Sequence, residues 1–328
     1  MKIQTDTTVL DELIAALKEG QSFCLSGHQN PDGDVVGSEL AMASLIKRLD
    51  PKKRVDILNN GPIPKSISFL PGAQHIQNVR KVEGRYDVLI VFECSGSDRM
   101  GDIIDFSAQV GKVINIDHHL HNPNFGAINF VEPATSSTAE LISKIFEHAK
   151  MPLTTDEASC IYAGMVADTG WFRYGNTNPQ THAIASRLLE AGVKVEDIAE
   201  RQYMSKNKTA LQLLGKVLNN MTLHYDDRVA VLKLPETLMK EVGAKSDDTD
   251  ALVNYGLEID TVCASVLLKE RTNPPGVKIS LRSKGKFDIN QVARLFGGGG
   301  HRNASGCLIE ASLEQAEQAI LKEMRRVF

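Results

Sequence analysis

The feature that most constrains the fold is an alternation, in the first half of the chain, of short apolar segments with longer segments of helical periodicity. The apolar segments are continuous, as in VLIVF, which is typical of parallel strands buried on both faces of a sheet. The predicted strands are Ser22–Leu25, Val55–Leu58, Val88–Phe92 and Lys112–Ile116, and the predicted helices are Thr8–Lys18 and Val35–Leu49. This order predicts an α/β domain with a doubly wound, mostly parallel sheet.

The rest of the chain predicts helices first and then a mixed α/β segment. The predicted helices are Ser136–His148, Thr155–Ala167, Pro179–Glu190, Val195–Tyr203, Lys208–Leu223, Ile289–Phe296 and Leu313–Arg325, and the predicted strands are Val229–Leu234, Thr261–Lys269 and Val277–Arg282. No glycine- and serine-rich tract separates them, so we expect a helical linker. The expected division is an N-terminal domain at residues 1–190, the linker at 191–222 and a smaller C-terminal α/β domain at 223–328.

Composition places the chain among ordinary globular proteins and excludes several functions. The net charge of −4 over 328 residues gives no general attraction to long nucleic-acid duplexes. The five cysteines lack C-x-x-C spacing, which favours small buried side chains in a reducing cytoplasm over disulfides or structural zinc. The N-terminus reads as an amphipathic helix rather than a signal peptide, and no segment reaches the roughly 18 apolar residues of a membrane helix. We therefore expect a cytoplasmic protein without a membrane partner.

The stretch SGHQNPDGDVVGS, residues 26–38, places one imidazole and two carboxylates on the turn between a strand and a helix. His28, Asp32 and Asp34 lie within seven positions. Ligands of open α/β sheets bind at this edge, outside the carboxyl ends of the strands. Imidazole and carboxylate ligands together suit a divalent cation such as manganese. The alternative is an ordinary polar loop with helix caps.

Two later predicted strands are also followed directly by side chains that can bind a metal ion. The strand VLIVF is followed directly by Glu93, and Arg99 lies in the loop beyond it; a simple turn is the alternative explanation. The strand before DHHLH is followed by Asp117, His118 and His119. Neighbouring side chains of an extended chain point to opposite faces, so one histidine can bind a metal while the other faces substrate. The aspartate can be a ligand or can orient a ligating histidine.

A further carboxylate, Asp168, lies in GMVADTG at the end of a predicted helix, where turn chemistry is the alternative. The full set of candidate metal ligands is His28, Asp32, Asp34, Glu93, His118 and Asp168. Four carboxylates and two imidazoles can hold two divalent ions, which in such sites lie about 3.5–4 Å apart and hydrolyse phosphoesters. One carboxylate must then bridge the ions, and Glu93 is the natural candidate.

The C-terminal segment carries a glycine run, Gly297–Gly300, followed by His301 and Arg302. Successive glycines let an anion approach the backbone N–H groups, and Arg282 and Lys284 add phosphate donors. From residue 261 onward, five lysines and six arginines face one aspartate and five glutamates, so this part is locally basic. The alternative is a flexible glycine loop beside a solvated helix face.

Together, HQNPDGD, ECSGSDR, DHH and VADTG resemble the four motifs of the DHH phosphoesterase superfamily. The C-terminal pattern IS-LRS…N…GGGGHRNASG resembles the substrate-binding domain of its first subfamily, and the likeness runs from about Gln21 to Ile309. The length of the chain resembles that of the stand-alone NrnA-type enzymes. The resemblance implies a metal-binding catalytic DHH domain, a DHH-associated C-terminal domain and manganese as cofactor, with magnesium or cobalt as alternatives.

The resemblance also implies a role for each residue. His28 and Asp32 would hold one ion, Asp34, His118 and Asp168 the other, and Glu93 would bridge them, although the family usually has Asp there. The expected catalytic residues are His119 and Asp117, and the expected substrate-binding residues are Arg99, Arg282, Gly298, Gly299, Gly300 and His301.

The function implied by the resemblance is hydrolysis of short oligoribonucleotides from an end, with release of 5′-mononucleotides, and dephosphorylation of 3′-phosphoadenosine 5′-phosphate. The same residues would serve a phosphodiesterase for linear or cyclic dinucleotides such as pGpG. A silent nucleotide-binding regulator is the alternative from another class, and Glu93 is the feature that favours it. An inorganic pyrophosphatase is disfavoured because related pyrophosphatases lack GGGGH. A homodimer is compatible with the resemblance.

Overall fold

The computed structural model describes residues 7–249 and 251–327, and the chain divides into two compact units between Ser205 and Lys206. The first unit contains the elements α1 (Thr7–Glu19), β1 (Ser22–Gly27), α2 (Gly33–Leu49), β2 (Arg54–Asn59), β3 (Gln77–Asn78), β4 (Tyr86–Phe92), α3 (Phe106–Gln109), β5 (Val110–Asp117), β6 (Ile128–Val131), α4 (Thr138–His148), α5 (Thr155–Asp168), α6 (Pro179–Glu190) and α7 (Val195–Tyr203).

The six strands of the first unit form one parallel sheet in the order β3-β2-β1-β4-β5-β6. Helices α1, α2 and α4 cover one face, and α5 and α6 pack on these helices to complete a large apolar core. A smaller core that includes Met100 and Ile103 covers the other face. The predicted doubly wound parallel sheet is thus confirmed. The strand order reverses between β1 and β4, and α/β proteins bind ligands beside such a reversal.

Two glycines let α2 and α5 approach closely. A Cβ atom at Gly37 would lie 2.3 Å from the carbonyl oxygen of Cys160, and one at Gly164 would lie 3.0 Å from Oδ1 of Asp34. Real Cβ atoms essentially never make contacts as short as the first. The crossing therefore brings the first turn of α2 against α5, whose last residue is Asp168.

Three short elements of the first unit, β3, α3 and β6, were not predicted from the sequence. The strand β6 has four residues and lies at the edge of the sheet, where it pairs with β5. Such short segments carry too little periodicity to be distinguished from loop. The helix predicted from Ser136 begins at Thr138, because the side chain of Ser137 caps it by accepting the N–H of Glu140.

The second unit contains the elements α8 (Lys208–Asn219), β7 (Thr222–His224), β8 (Val229–Leu234), α9 (Glu236–Val242), β9 (Ala264–Thr272), β10 (Pro275–Ser283), α10 (Asn290–Leu295), β11 (Gly299–His301), β12 (Ala304–Ile309) and α11 (Leu313–Met324). Its sheet has the order β11-β12-β10-β9-β8-β7, with β8 and β9 parallel and the other pairs antiparallel. Apolar cores lie on both faces, one of them beside α10 and α11.

The helix predicted over Lys208–Leu223 is too long, because α8 ends at Asn219 and Leu223 lies in β7 opposite Ala230. The helix α9 and the strands β11 and β12 were not predicted. Of the helices in the expected linker, α7 packs into the first unit through Ile198, and α8 packs into the second through Leu213 and Val217. Within the described residues, no helix has the length and apolar character needed to cross a membrane.

Candidate metal centre and active site

The candidate ligands of the first unit meet at the carboxyl edge of its sheet. His28 directly follows β1, Glu93 directly follows β4, and Asp117 is the last residue of β5. Adjacent strands are in register here, with Gly27 opposite Phe92. Because the strands are parallel, the side chains that follow them necessarily collect at one edge.

Three of these residues, His28, Asp32 and Glu93, form a first cluster whose possible ligand atoms all lie within 4.8 Å of one another. Oδ1 of Asp32 caps α2 by accepting the N–H groups of Asp34 and Val35 at 3.0 and 3.2 Å. Its other oxygen, Oδ2, lies 3.7 Å from Nε2 of His28. Nδ1 of His28 lies 3.0 Å from the carbonyl oxygen of Gln29, which places the ring proton on Nδ1 and leaves Nε2 available to bind a metal ion.

The second cluster consists of Asp34, His118 and Asp168, whose possible ligand atoms also lie within 4.8 Å of one another. Asp34 is fully buried and accepts the N–H groups of Thr138 and Ala139, at the start of α4, at 2.6 and 2.8 Å. Nε2 of His118 lies 3.6 Å from Oδ2 of Asp168. That ring nitrogen is buried and has no hydrogen-bond partner in the described structure, as expected for an atom that can bind a metal ion.

Glu93 connects the two clusters electrostatically. Its side chain is buried, and Oε2 has no hydrogen-bond partner among the described residues. Burial and the facing carboxylates of Asp32, Asp34 and Asp168 raise the pKa of Glu93 well above its usual value. Its backbone has a φ of +54°, which a residue with a side chain seldom adopts. A strained residue with an unpaired buried oxygen between two acidic clusters suits a bridging ligand.

The carboxylates of the second cluster need positive charge to remain ionised together. Burial raises the pKa of Asp34 to about 7, with a further contribution from Asp168. Burial also raises the pKa of Asp168 to about 7, with Asp32 as the next cause. Divalent ions would offset this repulsion, since ligand binding to metal favours the deprotonated carboxylate. Divalent metal ions therefore fit three features of the site. These are the carboxylate and imidazole donors, the short distances within each cluster, and the two ligand atoms that have no hydrogen-bond partner among the described residues.

Asp117 belongs to neither ligand cluster of the described residues, and its carboxylate instead accepts hydrogen bonds from the residues that follow it. Oδ1 accepts the N–H groups of His118 and His119 at 2.8 and 3.2 Å and lies 2.6 Å from Nδ1 of His119. Oδ2 accepts the side-chain amide of Asn122. Burial opposes ionisation of Asp117, but its bond with His119 and the other donors outweigh burial and lower its pKa.

Sequence reasoning missed two half-buried asparagines that hold acidic side chains of the site. Asn122 binds Asp117, and its Nδ2 also lies 2.9 Å from the carbonyl oxygen of Cys94. Asn176 donates to Oδ2 of Asp168 at 3.0 Å and to the carbonyl oxygen of Ser136 at 2.7 Å. Each asparagine lies a few residues after a candidate ligand in the sequence, and this proximity is the signal that could have identified it. Asparagine in loops is usually a turn former, so the signal is weak.

The predicted substrate-binding residue of the first unit, Arg99, lies in a short 3₁₀ turn, Ser97–Met100. Its side chain is exposed, and its carbonyl oxygen accepts the N–H of Gln29 at 2.7 Å. The guanidinium is close enough to His28 to oppose protonation of that ring. Arg99 thus lies beside the first cluster.

The other predicted substrate-binding residues lie in the second unit. Arg282 is on β10, opposite Ser265 on one side and Ala304 on the other, and its Nη1 donates to the carbonyl oxygen of Leu281 at 2.9 Å. The side chain of His301 lies outside the described residues.

The glycine run is more ordered than a flexible loop, because Gly299 and Gly300 pair with β12. A Cβ at Gly298 would lie 2.2 Å from the carbonyl oxygen of Gly306, and one at Gly300 would lie 2.5 Å from that of Ala304. The N–H of Gly298 already donates to the carbonyl oxygen of Ala293 at 3.0 Å. Close packing of the strands therefore explains two of these glycines, whereas Gly299 faces open space.

The fold and the site together define the class of this protein: a doubly wound α/β protein with two acid–histidine clusters at one edge of its sheet. The DHH family, N-terminal domain, matches residues 22–165, and the DHHA1 domain matches residues 226–328. A bifunctional oligoribonuclease and PAP phosphatase NrnA from Thermus thermophilus is 30% identical over 305 residues, which cover 92% of this chain and 88% of that protein. The chain therefore belongs to the DHH family.

Solved structures agree with this assignment. An exopolyphosphatase-related protein from Bacteroides fragilis is 30% identical, has a TM-score of 0.91 and matches over 100% of this chain and 99% of its own. RecJ in complex with Mn²⁺ from Thermus thermophilus has a TM-score of 0.58 at 15% identity, over 100% of this chain and 55% of its own, and thus shares the fold. The predicted family and enzyme class, a DHH phosphoesterase, are confirmed.

Proposed function

We propose that this protein is a metal-dependent hydrolase that releases 5′-mononucleotides from short oligoribonucleotides and removes the 3′-phosphate of 3′-phosphoadenosine 5′-phosphate. One observation carries the proposal. Two acid–histidine clusters lie at one sheet edge, and each contains a buried ligand atom that has no hydrogen-bond partner within the described part of the chain, Oε2 of Glu93 and Nε2 of His118. The relationship to the NrnA protein of Thermus thermophilus supports the choice of substrates.

The cofactor we propose is a pair of manganese ions. His28 and Asp32 would hold one and Asp34, His118 and Asp168 the other, with Glu93 shared between them. Bound ions of this kind lower the pKa of water and stabilise negative charge on phosphoryl oxygens. Carboxylate and imidazole ligands together suit manganese, and the related RecJ structure contains Mn²⁺.

The chain itself supplies proton transfer and orientation. Nδ1 of His119 is bound to Asp117, so the ring can exchange a proton with substrate through Nε2. We propose that His119 donates this proton to the oxygen that leaves phosphorus when water attacks. Asp117 holds the ring in the required tautomer, and Asn122 holds Asp117. Arg99 is exposed beside the first cluster and is available to bind a substrate phosphate.

The C-terminal unit would bind the nucleotide through Arg282, His301 and the glycine run. A guanidinium pairs well with phosphate, and the open space at Gly299 allows close approach of a ligand to the backbone. Gly298 and Gly300 would act by shaping the strand that carries the neighbouring residues. We also propose a cytoplasmic setting, which the five unpaired cysteines support, and a preference against long duplexes, which the net charge supports. Homodimer formation remains a proposal from the family resemblance.

The test is a turnover assay with manganese on a panel of phosphoesters. The panel contains a 5′-labelled RNA dinucleotide, a pentanucleotide, an RNA of about 24 nucleotides, pGpG and 3′-phosphoadenosine 5′-phosphate. We expect rapid loss of the short species and sparing of the long RNA. Faster turnover of pGpG than of the RNA dinucleotide would favour the dinucleotide phosphodiesterase instead.

Two controls separate this activity from contamination and from simple binding. Chelation of metal should abolish turnover, and the His118→Ala variant should lower it at least about 100-fold, because each removes part of the metal centre. A protein that binds manganese and nucleotide but turns over no substrate would contradict the proposal and favour a silent regulator.

A further inference from the structure

A fully buried carboxyl group, Glu39, lies outside both ligand clusters. It is on α2, seven residues after Asp32, and is 0% exposed. Oε2 accepts Nδ2 of Asn59 at 2.9 Å, and Oε1 is buried with no hydrogen-bond partner among the described residues. An incompletely bonded carboxyl group in a protein interior is costly, so its presence calls for a physical reason.

The partner of Glu39 connects it to the first cluster. Asn59 is the last residue of β2 and is also 0% exposed. Its Oδ1 accepts the N–H of Gly27 at 3.2 Å and the hydroxyl of Ser26 at 3.4 Å. Because Oε2 of Glu39 accepts from the asparagine NH₂ group, it fixes the amide with Oδ1 toward Gly27. Gly27 is the residue directly before His28.

The other side of His28 is held by the same segment. The N–H of Asn30 donates to the carbonyl oxygen of Asn60 at 2.8 Å. The turn that carries His28 is therefore attached at both ends to the end of β2, and the side chain of Asn59 is the attachment at the Gly27 end. Gly27 also pairs with Phe92 of β4, so a change in the orientation of Asn59 would remove one of the contacts that fix the backbone before His28.

We propose that Glu39 and Asn59 are positioning residues of the first metal site, which hold the Gly27 N–H and thereby place Nε2 of His28 for metal binding. The inference rests on the proposed function, in that it takes His28 as a ligand. Neither residue belongs to the ligand clusters found among the described residues, so both act through the backbone. Residues that hydrogen-bond a metal ligand directly typically contribute about 10- to 100-fold to metal affinity, and this range sets the scale expected for an attachment through the backbone.

The raised pKa of Glu39 makes its replacement by neutral glutamine informative. Burial raises the pKa of Glu39 to about 8, although the bond from Asn59 lowers it. The neutral isostere Glu39→Gln keeps an oxygen acceptor for Asn59, whereas Glu39→Leu removes it. The two variants therefore separate the hydrogen bond from the volume of the side chain.

The experiment titrates Mn²⁺ into wild type and both variants by calorimetry and measures amide hydrogen exchange of the metal-free proteins. We expect Glu39→Leu to weaken one of the two manganese sites about 10- to 100-fold and to speed exchange at Gly27. Glu39→Gln should restore both measurements to near wild type. A role limited to general stability would instead speed exchange throughout the first unit and would not weaken one manganese site selectively.

A matched control is Glu157, which is also buried but lies in another network. Its oxygens accept Oγ of Ser44 at 2.7 Å and Nη1 of Arg48 at 2.6 Å. The substitution Glu157→Leu should lower stability and leave manganese affinity and exchange at Gly27 unchanged. An equal loss of manganese affinity in Glu157→Leu would overturn the specific role of Glu39.

The inference and the proposed function fail in distinguishable ways. Absence of manganese binding by wild type would reject the proposed metal centre. Wild-type manganese affinity and wild-type exchange at Gly27 in a folded Glu39→Leu protein would overturn the inference alone. If Glu39→Leu does not fold, Asn59→Ala carries the same test, because it removes the acceptor of the Gly27 N–H directly.

Discussion

The substitution Asp168→Asn should make the metal-free protein more stable while it weakens metal binding. In the folded chain, burial and the nearby Asp32 raise the pKa of Asp168 from 3.8 to about 7. A carboxyl group with a raised pKa contributes stability below its unfolded pKa, and that contribution is lost as the pH rises through the folded pKa. Asparagine carries no charge, so it avoids this loss. It also keeps an oxygen that can accept from Asn176.

The magnitude follows from the size of the pKa change. At about 1.4 kcal/mol per pH unit, a rise from 3.8 to about 7 corresponds to a ceiling of about 4 kcal/mol at pH 8. About 24% of the Asp168 side chain is exposed, so water screens part of the repulsion. We therefore expect Asp168→Asn to raise the free energy of unfolding by about 2 kcal/mol near pH 8 and by nearly nothing near pH 4.

The assay is urea denaturation of chelator-treated protein, followed by tryptophan fluorescence. Trp171 is the single tryptophan of the chain and lies in the first unit, so its signal reports the unit that contains Asp168. A parallel series with manganese should reverse the order of stability, because wild type gains more from binding the ion.

Asp117→Asn is the matched control with the opposite sign. The pKa of Asp117 is lowered, so its contribution to stability is present above the unfolded pKa and is lost as the pH falls. The asparagine would also turn an NH₂ group toward donors that now bind a carboxylate. We expect Asp117→Asn to destabilise the metal-free protein near pH 8. The reasoning is refuted if Asp168→Asn is no more stable than wild type under those conditions.

Three further predictions concern the proposed activity. His118→Ala should bind one manganese ion instead of two by calorimetry and should lower kcat at least about 100-fold, because a ligand of the second cluster is lost. Arg282→Ala should raise KM for an RNA dinucleotide about 10- to 100-fold, since a charged hydrogen bond contributes about 1.5–3 kcal/mol. The change in kcat should be smaller. A large fall in kcat at constant KM would instead assign the contact of Arg282 to the transition state. Glu93→Asp should retain part of the turnover that Glu93→Ala loses, and equal rates for the two variants would argue against a bridging role.

The sequence was informative where chemistry follows a buried parallel strand. His28 and Glu93 could be placed together from the sequence alone, because parallel strands bring their carboxyl ends to one edge. Asp168 was predictable only as a candidate, since its position depends on how α5 crosses α2. The glycines that permit this crossing, Gly37 and Gly164, read as loop or motif residues in the sequence.

The parts that escaped prediction depend on contacts between distant segments. Glu39 lies among apolar positions of α2, and no neighbouring residue in the sequence indicates its hydrogen bond with Asn59, twenty residues away. The strands β6 and β12 have four and six residues, and β12 continues a glycine-rich segment that reads as loop. Hydrogen bonding across a sheet, rather than local propensity, determines these elements.

The bonds from Thr138 and Ala139 to Asp34 span 104 and 105 residues of chain. Contacts of such sequence separation form only after a large loop has closed, which makes them slow steps in folding. A chain emerging from the ribosome cannot complete the second cluster until Asp168 has been synthesised and α5 has docked on α2. Metal binding at the second cluster would therefore follow the docking of α5 rather than nucleate the N-terminal unit, and a chain truncated within α5 could not form that cluster.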